Sequence, residues 1–272
     1  MSRATESGTS IALISKTGAA LQALTLNGTQ IIDSQVANVP DQIFFGSVLA
    51  PWPNRLDGGS YHLAGIDYQA GQLDQAGNAN HGLVYDREFE VVSQEEQQLA
   101  LGYQFGSDQG YPFEVMLTVD YQLLDNGLRT RATAINNGAD PAPFAIGFHP
   151  YFLAPEPFVL SGDFKSQILT DARMLPTDIV SVQGLSYAGG EMDDCYMGTN
   201  VARLQSAHFD VSIELEQDLD HFMFYRPGPD QGGSMLAIEP MSAKANALQT
   251  EIADHLLEPG QSRSFSYLIR TS

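Results

Sequence analysis

From Val115 to Leu123 the apolar residues Val115, Leu117, Val119, Tyr121 and Leu123 recur at every second position, with Thr118, Asp120 and Gln122 between them. A period of two gives a strand with one face for a core and one for solvent. Leu128 to Asn136 repeats the pattern after Asp125-Asn126-Gly127, a turn sequence that predicts a hairpin. Short apolar or alternating runs predict further strands at Ser10 to Ser15, Leu21 to Leu26, Phe89 to Val92, Leu99 to Phe105, Val211 to Glu216, Phe222 to Tyr225, Met235 to Glu239 and Ser264 to Ile269. Asn27-Gly28, Asp57-Gly58-Gly59 and Asn137-Gly138 mark turns between them. The best helical stretch is the short Ala243 to Ala247, and Pro155 to Gly190, rich in Pro, Gly and Asp, carries no clear element.

Many short strands parted by turns at intervals of roughly 8–12 residues predict an all-β fold, a sandwich or a barrel. No low-complexity linker, fixed-period repeat or charge block divides the sequence, so residues 1–272 are expected to form a single domain.

Composition narrows the function. With 33 acidic against 13 basic side chains the net charge is -20, which repels phosphate backbones and anionic lipid; no nucleic-acid or membrane partner is expected. The first ten residues are polar and no 18-residue apolar run occurs, so a soluble, cytoplasmic protein is expected, a monomer or a homodimer. Cys195 is the only cysteine and supplies neither an internal disulfide nor a multi-thiolate site, which fits a reducing compartment. His62, His208, His221 and His255 lack metal-ligand spacing. There is no Gly-rich phosphate loop, Gly-x-Ser-x-Gly elbow or Cys-x-x-Cys either, so neither metal nor cofactor is expected.

Five segments combine polar or titratable side chains with Gly or Pro: Pro51-Trp-Pro-Asn54-Arg55, Asn78-Ala-Asn-His81-Gly82, Gly147-Phe-His149-Pro-Tyr-Phe152, Met192-Asp193-Asp194-Cys195-Tyr196 and Ala237-Ile-Glu239-Pro-Met241. His149, among apolar neighbours, reads either as a core histidine or as a general acid with an unperturbed pKa of about 6.5. His81 reads as a turn residue or as its partner. Glu239 ends an apolar run, so burial would raise its pKa toward a useful base, unless it is an ordinary strand-end carboxylate. Arg55 is a surface residue or a planar donor for sugar hydroxyls. Asp193 and Asp194 suit an Asx turn or a site, and Trp52, the only tryptophan, suits core packing or stacking on a sugar ring.

Taken in order, Asn54-Arg55, Asn78-x-x-His81-Gly82, His149-Pro-Tyr-Phe152, an aspartate near an aromatic, and Glu239-Pro240 resemble the motifs of the aldose 1-epimerase (galactose mutarotase-like) family. The likeness runs from Gly18-Ala-Ala-Leu-Gln-Ala-Leu24 to Leu257-Glu-Pro-Gly260. The resemblance implies a large antiparallel β-sandwich, the galactose mutarotase-like supersandwich, with an open sugar-binding cleft. It further implies an isomerase without cofactor that interconverts the α and β anomers of a free aldose. Glu239 would take the proton of the anomeric hydroxyl and His149 would protonate the ring oxygen. The attraction between them would hold the one ionised and the other protonated. His81, Arg55, Asn54, Trp52 and Asp193 would orient the sugar and steady charge on oxygen.

Two features depart from the pattern. The interval between the His-Pro-Tyr-Phe motif and the aspartate is short, which leaves Asp194 as a rival to Asp193, and Leu-Val-Tyr85-Asp-Arg87 replaces the Gly-rich continuation of galactose mutarotases. A 1-epimerase of hexose 6-phosphates or other anionic sugars would need added cations, and besides Arg55 only Arg87 and Lys244 adjoin the motifs. A non-catalytic carbohydrate-binding sandwich would need no matched acid and base. A glycosidase would need two carboxylates, such as Asp193 and Glu239, about 5–9.5 Å apart.

Overall fold

In the computed structural model, which describes residues 1–6, 8–35, 44–106, 108, 110–228 and 234–271, the alternating segments become the interior of a β-sandwich. Val115–Leu124 and Gly127–Asn136 form the predicted hairpin, in register from Val115 opposite Asn136 to Leu124 opposite Gly127. Every second residue of Val115–Leu124, from Val115 to Leu123, is buried, as the period of two requires. This hairpin is part of a nine-stranded sheet in the order Glu90–Gln94, Gln98–Gln104, Val115–Leu124, Gly127–Asn136, Ser262–Thr271, Asp210–Gln217, Val201–Ser206, Phe158–Gly162, Leu185–Tyr187.

The second large sheet runs Pro176–Ser181, Ser166–Thr170, Met192–Met197, His221–Arg226, Met235–Met241, Gly147–Phe148, Val48–Leu49, with Tyr151–Leu153 also paired to Met235–Met241. Neighbouring strands are antiparallel in both sheets. A smaller four-stranded sheet, Ser2–Thr5 to Thr29–Asp33, carries the N-terminal hairpins. The main core joins both large sheets: Phe148 of one lies 4.9 Å, ring to ring, from Tyr267 of the other.

All seven residues of Met235–Met241 are buried, so this strand is covered on both faces. On the core side Phe224 faces Ile238 and Phe222 faces Pro240; on the other side Met223 faces Glu239. That second face, backed by Ile168, Cys195, Met223 and Met241, is where the chemistry gathers.

Two expectations are corrected. The helix is a single turn at Ala247–Thr250 rather than Ala243 to Ala247, because Asn246 adopts φ 62°, a left-handed conformation that an α-helix cannot contain. Pro155 to Gly190 holds four short strands, Phe158–Gly162, Ser166–Thr170, Pro176–Ser181 and Leu185–Tyr187, at sheet margins, and in the last two no residue is buried to reveal a strand by alternation. Among the described residues no helix is long and apolar enough to cross a membrane.

Candidate active site

Sheet register explains how residues far apart in sequence meet. Across three neighbouring strands Cys195 faces Met223 and Met223 faces Glu239; two residues along, Asp193 faces Tyr225 and Tyr225 faces Ala237. The period of two places Glu239, Met223, Tyr225 and Asp193 on the same face of the sheet. His149 reaches this face through an interruption. Gly147 pairs with Met241 and Tyr151 with Ala237, so of the three residues between, Phe148, His149 and Pro150, the middle one, His149, lies at the level of Glu239. The backbone of His149 is held by its N–H donating to Ser47 O at 3.0 Å and its carbonyl accepting from Gly46 N at 2.9 Å. The result is His149 Nε2 at 3.3 Å from Glu239 Oε1, both side chains buried.

The opposite wall is a small ladder of Arg55–Asp57 against Asn78–Asn80, with Arg55 facing Asn80. Asn54 and His81 flank it, both left-handed at φ 54° and 62°, and the His81 N–H donates to Asn54 O at 2.9 Å. Asn54 Oδ1 accepts from the Arg55 N–H at 2.8 Å and from its Nη1 at 3.2 Å, which aims the guanidinium so that Nη2 stands 3.7 Å from Asp193 Oδ2. Gly82 makes the next turn possible: its φ is +73°, and a Cβ there would lie 2.2 Å from Ala50 O. The Gly82–Ala50 bridge thereby ties the histidine loop to the Pro51 loop.

Rings complete the pocket. His81 and His149 meet edge to face at 5.1 Å, Phe44 lies 4.6 Å from His81, and Tyr151 stacks on His149 at 4.9 Å.

Burial sets the charge states. It pushes the His149 imidazole down to about 3. Burial, the His149 ring and Arg55 together hold His81 well below the usual range. Burial, then Asp193, pushes the Glu239 carboxyl well above the ordinary range, with Arg55 opposing. In the free cleft burial thus opposes the expected ionised carboxylate beside a protonated imidazole and favours the neutral form of each group. Four buried atoms here have no hydrogen-bond partner: His81 Nδ1, His149 Nδ1, Glu239 Oε2 and Asn80 Oδ1.

Of the residues singled out in the sequence, Glu239, His149, His81, Arg55, Asn54 and Asp193 line one cleft. Asp193 rather than Asp194 faces it; Asp194 Oδ1 instead accepts from Gln167 Nε2 at 2.9 Å. Trp52 is a correction. It is 2% exposed, belongs to the main core beside Gly71 and forms no part of the cleft wall, because its large ring is more stably held among apolar side chains. Arg87 pairs with Asp86 and Lys244 with Glu251, and neither lines the cleft. Phe44, Met223 and Tyr225 line it without having been singled out. Met223 and Tyr225 alternate within a strand that was read, but only its register against the neighbouring strands shows which face they share. Among the described residues no three His, Cys, Asp or Glu side chains are grouped to hold a metal ion.

Comparison with known proteins agrees over the full length. The profile of the aldose 1-epimerase family matches residues 4–270. The uncharacterized protein YihR of Escherichia coli (strain K12) is 28% identical over 273 positions, spanning 92% of this chain and 86% of that protein. The crystal structure of a GalM/aldose epimerase homologue from C. elegans superposes with a TM-score of 0.82 at 20% identity, covering 100% of this chain and 98% of that one. That of galactose 1-epimerase from Lactobacillus acidophilus NCFM gives 0.78 at 17% identity, covering 100% and 93%. These structural likenesses show the shared sandwich fold.

Proposed function

This chain belongs to the aldose 1-epimerase family, and on that premise we propose that it interconverts the α and β anomers of a free, uncharged aldose by acid–base ring opening and reclosure, without a cofactor. The observation that carries the proposal is the buried contact of His149 Nε2 with Glu239 Oε1 at 3.3 Å, at the base of a cleft lined by hydroxyl-binding groups.

Opening a cyclic hemiacetal removes a proton from the anomeric hydroxyl and delivers one to the ring oxygen. Both oxygens are bonded to the same carbon, so the acid and base that serve them have to be neighbours. His149 and Glu239 are neighbours, and their pair holds one exchangeable proton, hence one acid and one base. Burial favours the neutral arrangement in the free cleft. A sugar hydroxyl donating to the unpartnered Glu239 Oε2 would stabilise the carboxylate and move the proton to His149. Glu239 then takes the anomeric proton, His149 protonates the ring oxygen, and the C1–O5 bond breaks to give the aldehyde. Rotation about C1–C2 and the same transfers in reverse close the other anomer. Arg55, aimed by Asn54 and adjoining Asp193, and His81 orient hydroxyls and steady charge on oxygen.

An uncharged substrate is favoured because Arg55 is the one cationic side chain among the described cleft residues and already adjoins Asp193; Arg87 and Lys244 face carboxylates elsewhere. A pure binding module would have no need of two adjoining titratable groups able to exchange a proton. Exchange spectroscopy by proton NMR on equilibrated hexoses tests the reading. Catalytic protein produces exchange between the anomeric signals; protein that binds sugar yet leaves them unexchanged refutes it.

A further inference from the structure

Asn78 and Asn80 stand two residues apart on one three-residue strand and look interchangeable in the sequence, yet the structure uses them in opposite ways. Asn78 is consumed by the fold. Its Nδ2 donates to Arg173 O at 2.9 Å and its Oδ1 accepts from Arg173 Nη2 at 2.9 Å. The same guanidinium donates to Ala76 O at 2.9 Å and to Asp57 Oδ1 at 2.5 Å, fastening this ladder to the loop after Ser166–Thr170.

Asn80 faces Arg55 across the ladder and immediately precedes His81. Its side chain lines the cleft, and its Oδ1 is buried without a partner. A buried amide oxygen left unpaired lowers the stability of the fold, and an apolar side chain of similar size would not. Burying it there is explained by a ligand that supplies the missing donor.

We propose that Asn80 is a specificity-determining residue of this cleft, its amide binding one ring hydroxyl of the sugar beside the groups that carry out ring opening. The inference rests on the reading of the cleft as a sugar site and adds to it the residue that selects among sugars. Arg55 and His81 carry only N–H donors or a titratable ring nitrogen toward the sugar, whereas the Asn80 oxygen is a permanently neutral acceptor, so it discriminates the presence and orientation of a single hydroxyl.

The test compares wild type with Asn80→Leu and Asn80→Ser by NMR titration of D-glucose, D-galactose and the 2-, 3- and 4-deoxy analogues of glucose, with thermal melting of the same samples. Asn80→Leu is expected to bind its preferred hexose about 2- to 10-fold more weakly, the range for one neutral hydrogen bond, while melting at the same temperature as wild type or higher. One deoxy sugar should bind wild type weakly and be insensitive to the substitution, which identifies the hydroxyl. Asn80→Ser, which keeps an acceptor, should fall between. Unchanged affinities across the panel, or a lowered melting temperature with affinities preserved, would overturn the inference while leaving the sugar site intact. Wild type that binds none of these sugars would overturn the reading of the cleft as well.

Discussion

Glu239 Oε2 is buried without a partner while Oε1 of the same carboxyl lies 3.3 Å from His149 Nε2. One oxygen is thus engaged by His149 and, on the proposed mechanism, the other is left for the substrate. On the proposed mechanism the pair shares a proton, so either member alone is insufficient. Glu239→Gln and His149→Asn are each expected to lower kcat by about 10²–10⁴-fold with circular dichroism unchanged. Near-normal turnover of either folded variant contradicts the assignment.

The pH profile follows from the same pair. With His149 depressed to about 3, a second proton reaches the pair only in strong acid, and with Glu239 raised, its first proton persists well above the ordinary carboxylate range. Activity should therefore stay level as pH falls through about 6.5, the usual imidazole value, and decline on the alkaline side as the remaining proton is lost. Initial rates from pH 4.5 to 9, taken where the protein remains folded, check this. An acid limb centred near 6.5 would mean that a histidine with an ordinary pKa controls the reaction.

Gly82→Ala should damage both fold and site. It places a β-carbon 2.2 Å from a backbone oxygen and demands φ +73° of an L residue. A loss of about 2 kcal/mol or more in urea unfolding is expected, with reduced activity because His81 is the adjacent residue. Wild-type stability would show that the Ala50–Gly82 approach is not a constraint.

Trp52 offers a spectroscopic control. As the only tryptophan, and one held in the core away from the cleft wall, it should keep its emission maximum when sugar saturates the protein. A shift characteristic of stacking on the indole would return Trp52 to the binding surface.

Much of the fold was legible because a half-buried strand writes its face into the sequence. Val115–Leu124 and Gly127–Asn136 alternate, and their turn residues sit where the ladder reverses. Pro176–Ser181 was illegible because it lies at a sheet edge with both faces largely exposed. The cleft was legible in part. Asn54, Arg55, His81, His149, Asp193 and Glu239 stand in recognisable motifs. Trp52 does not belong to the cleft although it shares a motif with Arg55, since adjacency in a loop says nothing about which side chain turns inward. Charge was less legible. Sequence shows that His149 and Glu239 are titratable, but the burial that opposes the charged form of each is a property of the packed site.

The most direct measurement is polarimetry of freshly dissolved α-D-glucose and α-D-galactose with and without the protein. The account predicts a faster approach to the same final rotation for at least one sugar, proportional to protein concentration and lost in Glu239→Gln. An approach no faster than in buffer for both sugars and for further neutral aldoses, with the protein shown to be folded, would contradict it.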